Sequence, residues 1–330
     1  MSLTLDTRVM KTDRAAIAAA ARRLAEGGLV AFPTETVYGL GADATNGAAI
    51  ARLYAAKGRP AFNPLIAHVA DADAARCLAR FDAAAERLAA LWPGPLTLVL
   101  PKTPDSAVAD LATAGLDTIA IRVPDHPVAR DILTAFGKPI VAPSANRSGH
   151  VSPTTAEHVI ADLRGRIDLI IDDGPAPVGL ESTIVACLDA DPILLRPGGI
   201  PRTALEQRLG HLLAVASAAA SVADSTATLA PGQLASHYAP KARLRLNADL
   251  VRPGEALLAF GPSLPPGSDQ ANSMRNLSAT ADLVEAAANL FSHLRALDAA
   301  GSATIAVMPV PQAGLGEAIN DRLQRAAAPR

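Results

Sequence analysis

The stretch that most restricts this chain is Lys57-Gly58-Arg59-Pro60-Ala61-Phe62-Asn63-Pro64-Leu65-Ile66-Ala67-His68. Its two prolines fix φ and stiffen the backbone between a helix that ends at Lys57 and an apolar strand that begins after Pro64. Between them two cations alternate around a glycine. Lysine, arginine and permissive backbone at close quarters suit a polyanion such as a nucleotide triphosphate. Taken alone, the same residues read first as a solvated basic turn, because short motifs recur by chance.

The rest of the chain repeats the pattern of cations beside Pro or Gly. Arg122, Arg147 and Arg196 lie at strand ends or in loops, not on the helix faces where surface ion pairs usually sit. Together with Lys57 and Arg59 they could meet three phosphates and a carboxylate. Ser144, Asn146, Ser148, Ser152 and Thr154 form a hydroxyl and amide cluster that fits ribose or phosphate oxygens, or plain capping and turn chemistry. His68 in its apolar strand reads first as a satisfied core histidine. Glu35 and Glu181 each adjoin hydroxyl residues and could serve as base or cap. The glycines of Gly39-Leu40-Gly41 read as a turn, since a lone partial dinucleotide fingerprint is weak.

Apolar periodicity and caps give the order of elements. Helices are predicted from Thr12 or Asp13 to Glu26, from Asn46 to Lys57, after Asp71 and Asp82, from His126 to Phe136, from Ser152-Pro153-Thr154, and from Pro201 to Leu209. Strands are predicted over Leu29–Phe32, Leu65–Val69, Leu96–Leu100, Thr118–Val123, Ile140-Val141, Leu169–Ile171, Thr183–Cys187 and Ile193–Leu195. Strands adjoin strands without strict alternation, which implies a twisted mixed sheet in one α/β domain over residues 1–208. Residues 209–242 change to Ala, Ser and Thr and end in His237-Tyr238-Ala239-Pro240, a linker by composition. Residues 243–330 read as a small, largely parallel α/β domain, with strands over Ala256–Phe260 and Thr304–Met308 and helices over Ala279–Ala299 and Gly316–Ala327. Its polar groups converge on no motif.

Composition excludes several functions. Net charge is −2 and aromatics are 3%, so neither a global field nor a stacking platform favours nucleic acid. Direct binding of nucleic acid is therefore expected to be weak or absent. Mean hydropathy of +0.22 assures a core. Cys77 and Cys187 are expected to be buried small hydrophobes, and seven scattered histidines give no protein-held metal site. Without a signal-like or membrane-spanning run, a cytoplasmic protein is expected.

The motifs Pro33–Gly41 (PTETVYGLG), KGRP with NPL and His68, TIAIRVP, APSAN with SG, SPT, ESTI and RPGG cover the first domain in order. This set resembles the YrdC-like family of L-threonylcarbamoyladenylate synthases. APG and HYAP followed by a small α/β unit resemble its two-domain form. The resemblance implies a deep, positively lined concave site on the α/β domain and a Rossmann-like C-terminal unit. It implies conversion of L-threonine, bicarbonate and ATP, with Mg2+ held mainly by the phosphates, to threonylcarbamoyl-AMP and pyrophosphate. A separate tRNA threonylcarbamoyltransferase complex would consume the product. By motif position, Thr36, His68, Arg122, Ser144 and Ser182 would bind threonine. Arg59, Asn63, Thr118, Asn146, Ser152, Thr154, Arg196 and Tyr238 would hold ATP, with Tyr238 acting from a linker that serves as a lid. Lys57 and Arg59 would act electrostatically. Many two-domain members carry basic or aromatic residues between APG and HYAP, where this chain has Gln233, Leu234, Ala235 and Ser236. Two alternatives stand beside this reading. One is a YrdC-like RNA-binding module without catalysis, the other a carbamoyl-adenylate-forming enzyme, whose acylphosphatase and zinc-finger signatures are not evident here.

Overall fold

The computed structural model describes residues 5–189, 191–215 and 237–329. In chain order the first unit comprises β1 (Arg8–Lys11), α1 (Arg14–Ala25), β2 (Val30–Phe32), β3 (Gly39–Asp43), α2 (Gly47–Lys57), β4 (Ile66–His68), α3 (Ala72–Arg76), α4 (Ala83–Ala89), β5 (Leu96–Pro101) and α5 (Asp110–Thr113). It continues with β6 (Thr118–Arg122), α6 (Pro127–Phe136), β7 (Ile140–Val141), α7 (Ala156–Leu163), β8 (Leu169–Asp172), β9 (Thr183–Ala186), β10 (Ile193–Arg196), α8 (Arg202–Leu209) and β11 (Ala214–Val215). The second unit holds β12 (Arg243–Arg245), β13 (Ala256–Ala259), β14 (Met274–Asn276), α9 (Leu283–Ala299), β15 (Thr304–Val307) and α10 (Gly316–Ala327).

The first unit is built on a mixed sheet of order β1-β8-β2-β3-β7-β4-β6-β5-β9-β10-β11. β4 and β6 run parallel at its centre, flanked by antiparallel β7 and β5. The second sheet, β12-β15-β13-β14, is wholly parallel. Both agree with the expected fold class.

Helix starts follow their caps. Asp13, Asn46, Asp71 and Asp82 each accept hydrogen bonds from backbone amides in the first turn. Gly58, in left-handed conformation with φ 62°, closes α2 and turns the chain into the Arg59 loop.

Four expectations need correction. Gly39 and Gly41 are not in a turn but in β3, where a Cβ on Gly41 would stand 2.7 Å from the Phe32 ring and 3.2 Å from the Val30 carbonyl. Glycine is there for close packing against β2, not for a special dihedral. Ser152-Pro153-Thr154 does not start a helix. α7 begins at Ala156 with Thr155 as cap, and the preceding segment bonds across to Tyr38 through the Pro153 carbonyl. Cys77 is exposed at the end of α3, while Cys187 is buried. The charged β12 and β14 and the Arg8–Lys11 strand, which lack an apolar run, complete sheet edges that periodicity alone does not show.

Candidate active site

The parallel register of β4 and β6 sets His68 beside Arg122, and Ile66 beside Ala120. Alternation therefore puts Thr118, Ala120 and Arg122 on the face that carries Ile66 and His68. Loops gather on that face. The turn before β3 brings Thr36, the loop after β7 brings Ser144, the segment before β9 brings Glu181 and Ser182, and β10 ends in Arg196. These side chains, with Arg59, His237 and Tyr238, line one cavity. The space left between them is about 50 Å3.

Arg122 is buried and heavily engaged. Its Nη1 donates to Thr36 Oγ1 at 2.9 Å and its Nε to the Gly94 carbonyl at 3.3 Å. Its Nη2 stands 2.6 Å from Glu35 Oε1, a close ion pair that lacks hydrogen-bond alignment on either side. Glu35 is thus neither cap nor base by contact but the counter-charge of Arg122. His68 Nδ1 lies 3.2 Å from the Ile66 carbonyl, which can only accept, so Nδ1 carries the proton. Burial, reinforced by Arg122, pushes this imidazole down to about 3, so it is neutral at physiological pH.

At the other end of the cavity Arg59 donates to the carbonyls of Asn63 and Pro64 at 3.3 and 3.0 Å. Burial lowers its pKa to about 10, where it remains a cation at neutral pH. Arg196 donates to the Ser182 carbonyl at 2.9 Å and to its Oγ at 3.3 Å. Ser182 Oγ also meets Thr97 Oγ1 at 2.8 Å. The Asn63 Oδ1 is buried without a partner, a polar atom available to a ligand.

Several expected residues lie just behind this wall. The Lys57 ammonium is buried and donates to the carbonyls of Ser144 and Asn146, so it staples the 142–149 loop to the end of α2. Burial, with Arg59 nearby, holds its pKa well below the ordinary value. The Asn146 amide accepts from Ser144 Oγ and donates to the His150 carbonyl. Ser152 Oγ donates to Glu181 Oε1 at 2.5 Å. Thr154 faces His158 Nδ1 at 3.4 Å. Thr118 opens β6, paired with Pro101 of β5, and does not itself line the cavity. Arg147 is exposed and lines a separate groove with His150, Lys241 and Arg295.

Tyr238 closes the cavity from the linker's described end. It is buried with a positive φ of 62°, stacks on Phe291 of α9 with centroids 5.7 Å apart, and meets the His237 ring edge-on at 4.1 Å. Burial pushes the His237 imidazole down to about 3. Positions 230–236, including APG and the Gln233–Ser236 departure, lie outside the described residues.

The sequence reading missed the contribution of the second unit. Arg322 of α10 is fully buried and donates through Nε to Glu181 Oε2 at 2.8 Å. Arg295 of α9 pairs with Asp162 at 2.8 Å. Burial raises the Glu181 pKa, but Arg322, Arg196 and Ser152 outweigh it and keep the carboxylate ionised. No local signal marks Arg322, whose partners Glu181 and Pro197 lie more than a hundred residues away in sequence.

Comparison with known proteins agrees with this architecture. Residues 22–198 match a family model described as Telomere recombination, and residues 200–328 match one described as Threonylcarbamoyl-AMP synthase, C-terminal domain. The threonylcarbamoyl-AMP synthase of Bacillus subtilis is 40% identical, with 98% of this chain and 96% of the relative aligned. The crystal structure of Pyrococcus abyssi Sua5 complexed with L-threonine superposes with a TM-score of 0.87 at 38% identity, covering 97% of both chains. Escherichia coli YciO, at 23% identity and a TM-score of 0.53, shares the fold of the first unit and covers 59% of this chain. Among the described residues no helix is long and apolar enough to cross a membrane. By sequence along its whole length and by the structure of both units, the chain belongs to the threonylcarbamoyl-AMP synthase family.

Proposed function

We propose that this protein condenses L-threonine, bicarbonate and ATP into L-threonylcarbamoyladenylate and pyrophosphate, supplying the threonylcarbamoyl group for modification of tRNA adenosine. The observation that carries the reading is the buried, arginine-lined cavity, with Arg122 and neutral His68 at one end and Arg59 and Arg196 at the other. Thr36, His68, Arg122, Ser144 and Ser182 form the threonine end. Arg122 takes the substrate carboxylate in a bidentate fork that lysine does not reproduce. Arg59, Asn63, Thr118, Asn146, Ser152, Thr154, Arg196 and Tyr238 form or support the nucleotide end, and Lys57 shapes it by holding the 142–149 loop.

The chemistry needs position more than proton transfer. Threonine's amine and bicarbonate give a carbamate and water, or with CO2 a carbamate and a proton. A carbamate oxygen attacks the α-phosphorus, the bond to the bridging oxygen breaks, and pyrophosphate leaves with the electron pair. Carbamates are labile in water, so excluding solvent and aligning reactants are the tasks of the site. Arg59 and Arg196 meet the charge on the phosphates. Mg2+ would enter with ATP and be held mainly by its phosphates and water, since Glu181 on the cavity wall is already engaged by Arg322 and Ser152. No covalent enzyme intermediate is required. About 50 Å3 is far less than the roughly 300 Å3 or more of a nucleotide-sized pocket, so His237 and Tyr238 withdraw to admit ATP and return to close the site. The product then passes to a tRNA threonylcarbamoyltransferase complex, in the cytoplasm, with no strong contact of this chain with tRNA itself.

The test is pyrophosphate release by the purified protein with ATP and Mg2+. Release that requires both L-threonine and bicarbonate is the expected result. Release independent of either substrate, or none from folded protein, would refute the proposal.

A further inference from the structure

Arg322 belongs to the small second unit, yet its contacts outside its own helix go to the walls of the cavity. Its Nε donates to Glu181 Oε2 at 2.8 Å, its Nη2 donates to the Pro197 carbonyl at 3.0 Å, and its guanidinium carbon lies 5.1 Å from the centre of the Tyr238 ring. Nη1 is balanced by Asp321 beside it on α10. Glu181 lines the cavity and holds Ser152; Pro197 follows Arg196, which lines it too; Tyr238 closes it. Three wall segments distant in sequence are thus fixed by one planar, five-donor group. Arg322 itself has no atom on the cavity surface.

A guanidinium with no solvent exposure is costly unless its donors are met. Here they are met by a carboxylate, a backbone carbonyl and a neighbouring acid, with the ring covering one face. The fork geometry matters. Lysine could keep the charge but could not serve Glu181 and Pro197 from fixed directions at once. A simple domain staple would not need this geometry, and the two units have one elsewhere. Arg202 of α8 pairs with Glu317 of α10 near the surface, away from the cavity.

We propose that Arg322 is a positioning residue for the nucleotide end of the site, setting Glu181, the Arg196–Pro197 strand end and Tyr238 in their closed arrangement, so that the C-terminal unit completes the active site. The proposal rests on the assignment of that end to ATP. It predicts an asymmetry. The contacts of Arg322 lie on the Glu181, Arg196 and Tyr238 side, which of the threonine end reaches only Ser182, through Arg196, whereas Arg122, Thr36 and His68 are held by bonds of their own.

The experiment compares full-length Arg322→Lys, Arg322→Met and Glu317→Gln with the parent protein in steady-state pyrophosphate release and in chymotryptic cleavage after Tyr238. In Arg322→Lys the KM for ATP is expected to rise about tenfold and kcat to fall, with the KM for threonine changed less than twofold. Cleavage after Tyr238 is expected to accelerate severalfold in both Arg322 variants. Glu317→Gln, which removes an interdomain ion pair from the same helix, leaves both KM values and the cleavage rate near those of the parent. Equal changes in the two KM values, or the same behaviour in Glu317→Gln and Arg322→Lys, would reduce Arg322 to a staple and overturn the proposal. If Arg322→Met does not fold, Arg322→Lys alone decides. The cleavage readout needs no substrate, so Tyr238 released in an Arg322 variant supports the closure even if the parent releases no pyrophosphate, a result that would sink the functional reading instead.

Discussion

His68 shows how burial sets chemistry at a single residue. Its neighbours are strand backbone and Arg122, so the proton it would take up in water is refused. Folded, it titrates near 3, against about 6.5 in an unfolded chain. Between those values the unfolded state binds more protons than the native one, so native stability falls as pH falls through that window. The loss is up to about 1.4 kcal/mol per pH unit for each such histidine. His237, pushed to about 3 by its own burial, acts in the same direction. Urea midpoints are therefore expected to drop from pH 7 to pH 5, above the range where carboxylates titrate. His68→Gln, which cannot titrate, should flatten that decline, and His68→Gln combined with His237→Gln should flatten it further. A variant with the parent's full slope would show that His68 is solvated or charged in the native state.

At the scale of elements, the site depends on how closely the loop after β10 lies on the segment before β9. Gly198 makes that approach possible. A Cβ there would stand 2.4 Å from the Glu181 carbonyl oxygen and 2.5 Å from Ser182 and Thr183 backbone, none of which can rotate away. The Gly199 amide bonds the Glu181 carbonyl at 3.0 Å, and Thr183 Oγ1 exchanges bonds with Ile200. Gly198→Ala forces the two segments apart. Overpacking of this kind costs roughly 1–3 kcal/mol, and the thermal midpoint is expected to fall by roughly 2–4 °C per kcal/mol. Arg196 would be drawn off Ser182, so ATP binding should weaken with it, measurable by calorimetry; an unchanged midpoint and affinity would mean the loop can slide at no cost. The sequence made much of this level readable. Caps at Asp13, Asn46, Asp71 and Asp82 and the apolar runs of β4, β5 and β6 act through near neighbours, and proline and glycine mark the loops that became the cavity wall. What could not be read is what depends on distant partners. β1, β12 and β14 are strands because a neighbour offers its edge, not because of their own polar composition. Gly41 is determined by the Phe32 ring across the sheet, and Lys57 points into the 142–149 loop because two carbonyls there need a donor.

At the scale of the whole molecule, the two units do not meet as separate bodies joined by a tether. Val37, Val151 and Leu180 of the first unit and Tyr238 share one apolar cluster with Leu290, Phe291 and Leu323 of the second. Gly179 lies so close to α9 that a Cβ would stand 2.5 Å from the Ala287 carbonyl. Arg322 and Arg295 reach across the same boundary. The first unit nevertheless has three clusters of its own on its long sheet, one including Leu40, Leu53 and Leu98, another Phe32, Ile132 and Ile171, and a smaller one Ile66, Val99 and Ile184. A fragment spanning Met1–Gly210 is therefore expected to fold, with cooperative unfolding at lower urea than the full chain, because burial of Val37, Val151 and Leu180 is lost. Its Glu181 would have no counter-charge from Arg322, and no tyrosine would cover the nucleotide end. Removing one partner of a buried ion pair is worth about 3–5 kcal/mol when the other stays buried. Water and a shift of Glu181 relieve part of that in the fragment, and both processes disorder the ATP end. Pyrophosphate release by the fragment is accordingly expected to fall by about two orders of magnitude, most of it through ATP affinity, with threonine binding less affected because Arg122, Thr36 and Glu35 stay together. Full activity in a folded fragment would place the second unit outside catalysis and leave its buried arginine as a matter of stability alone.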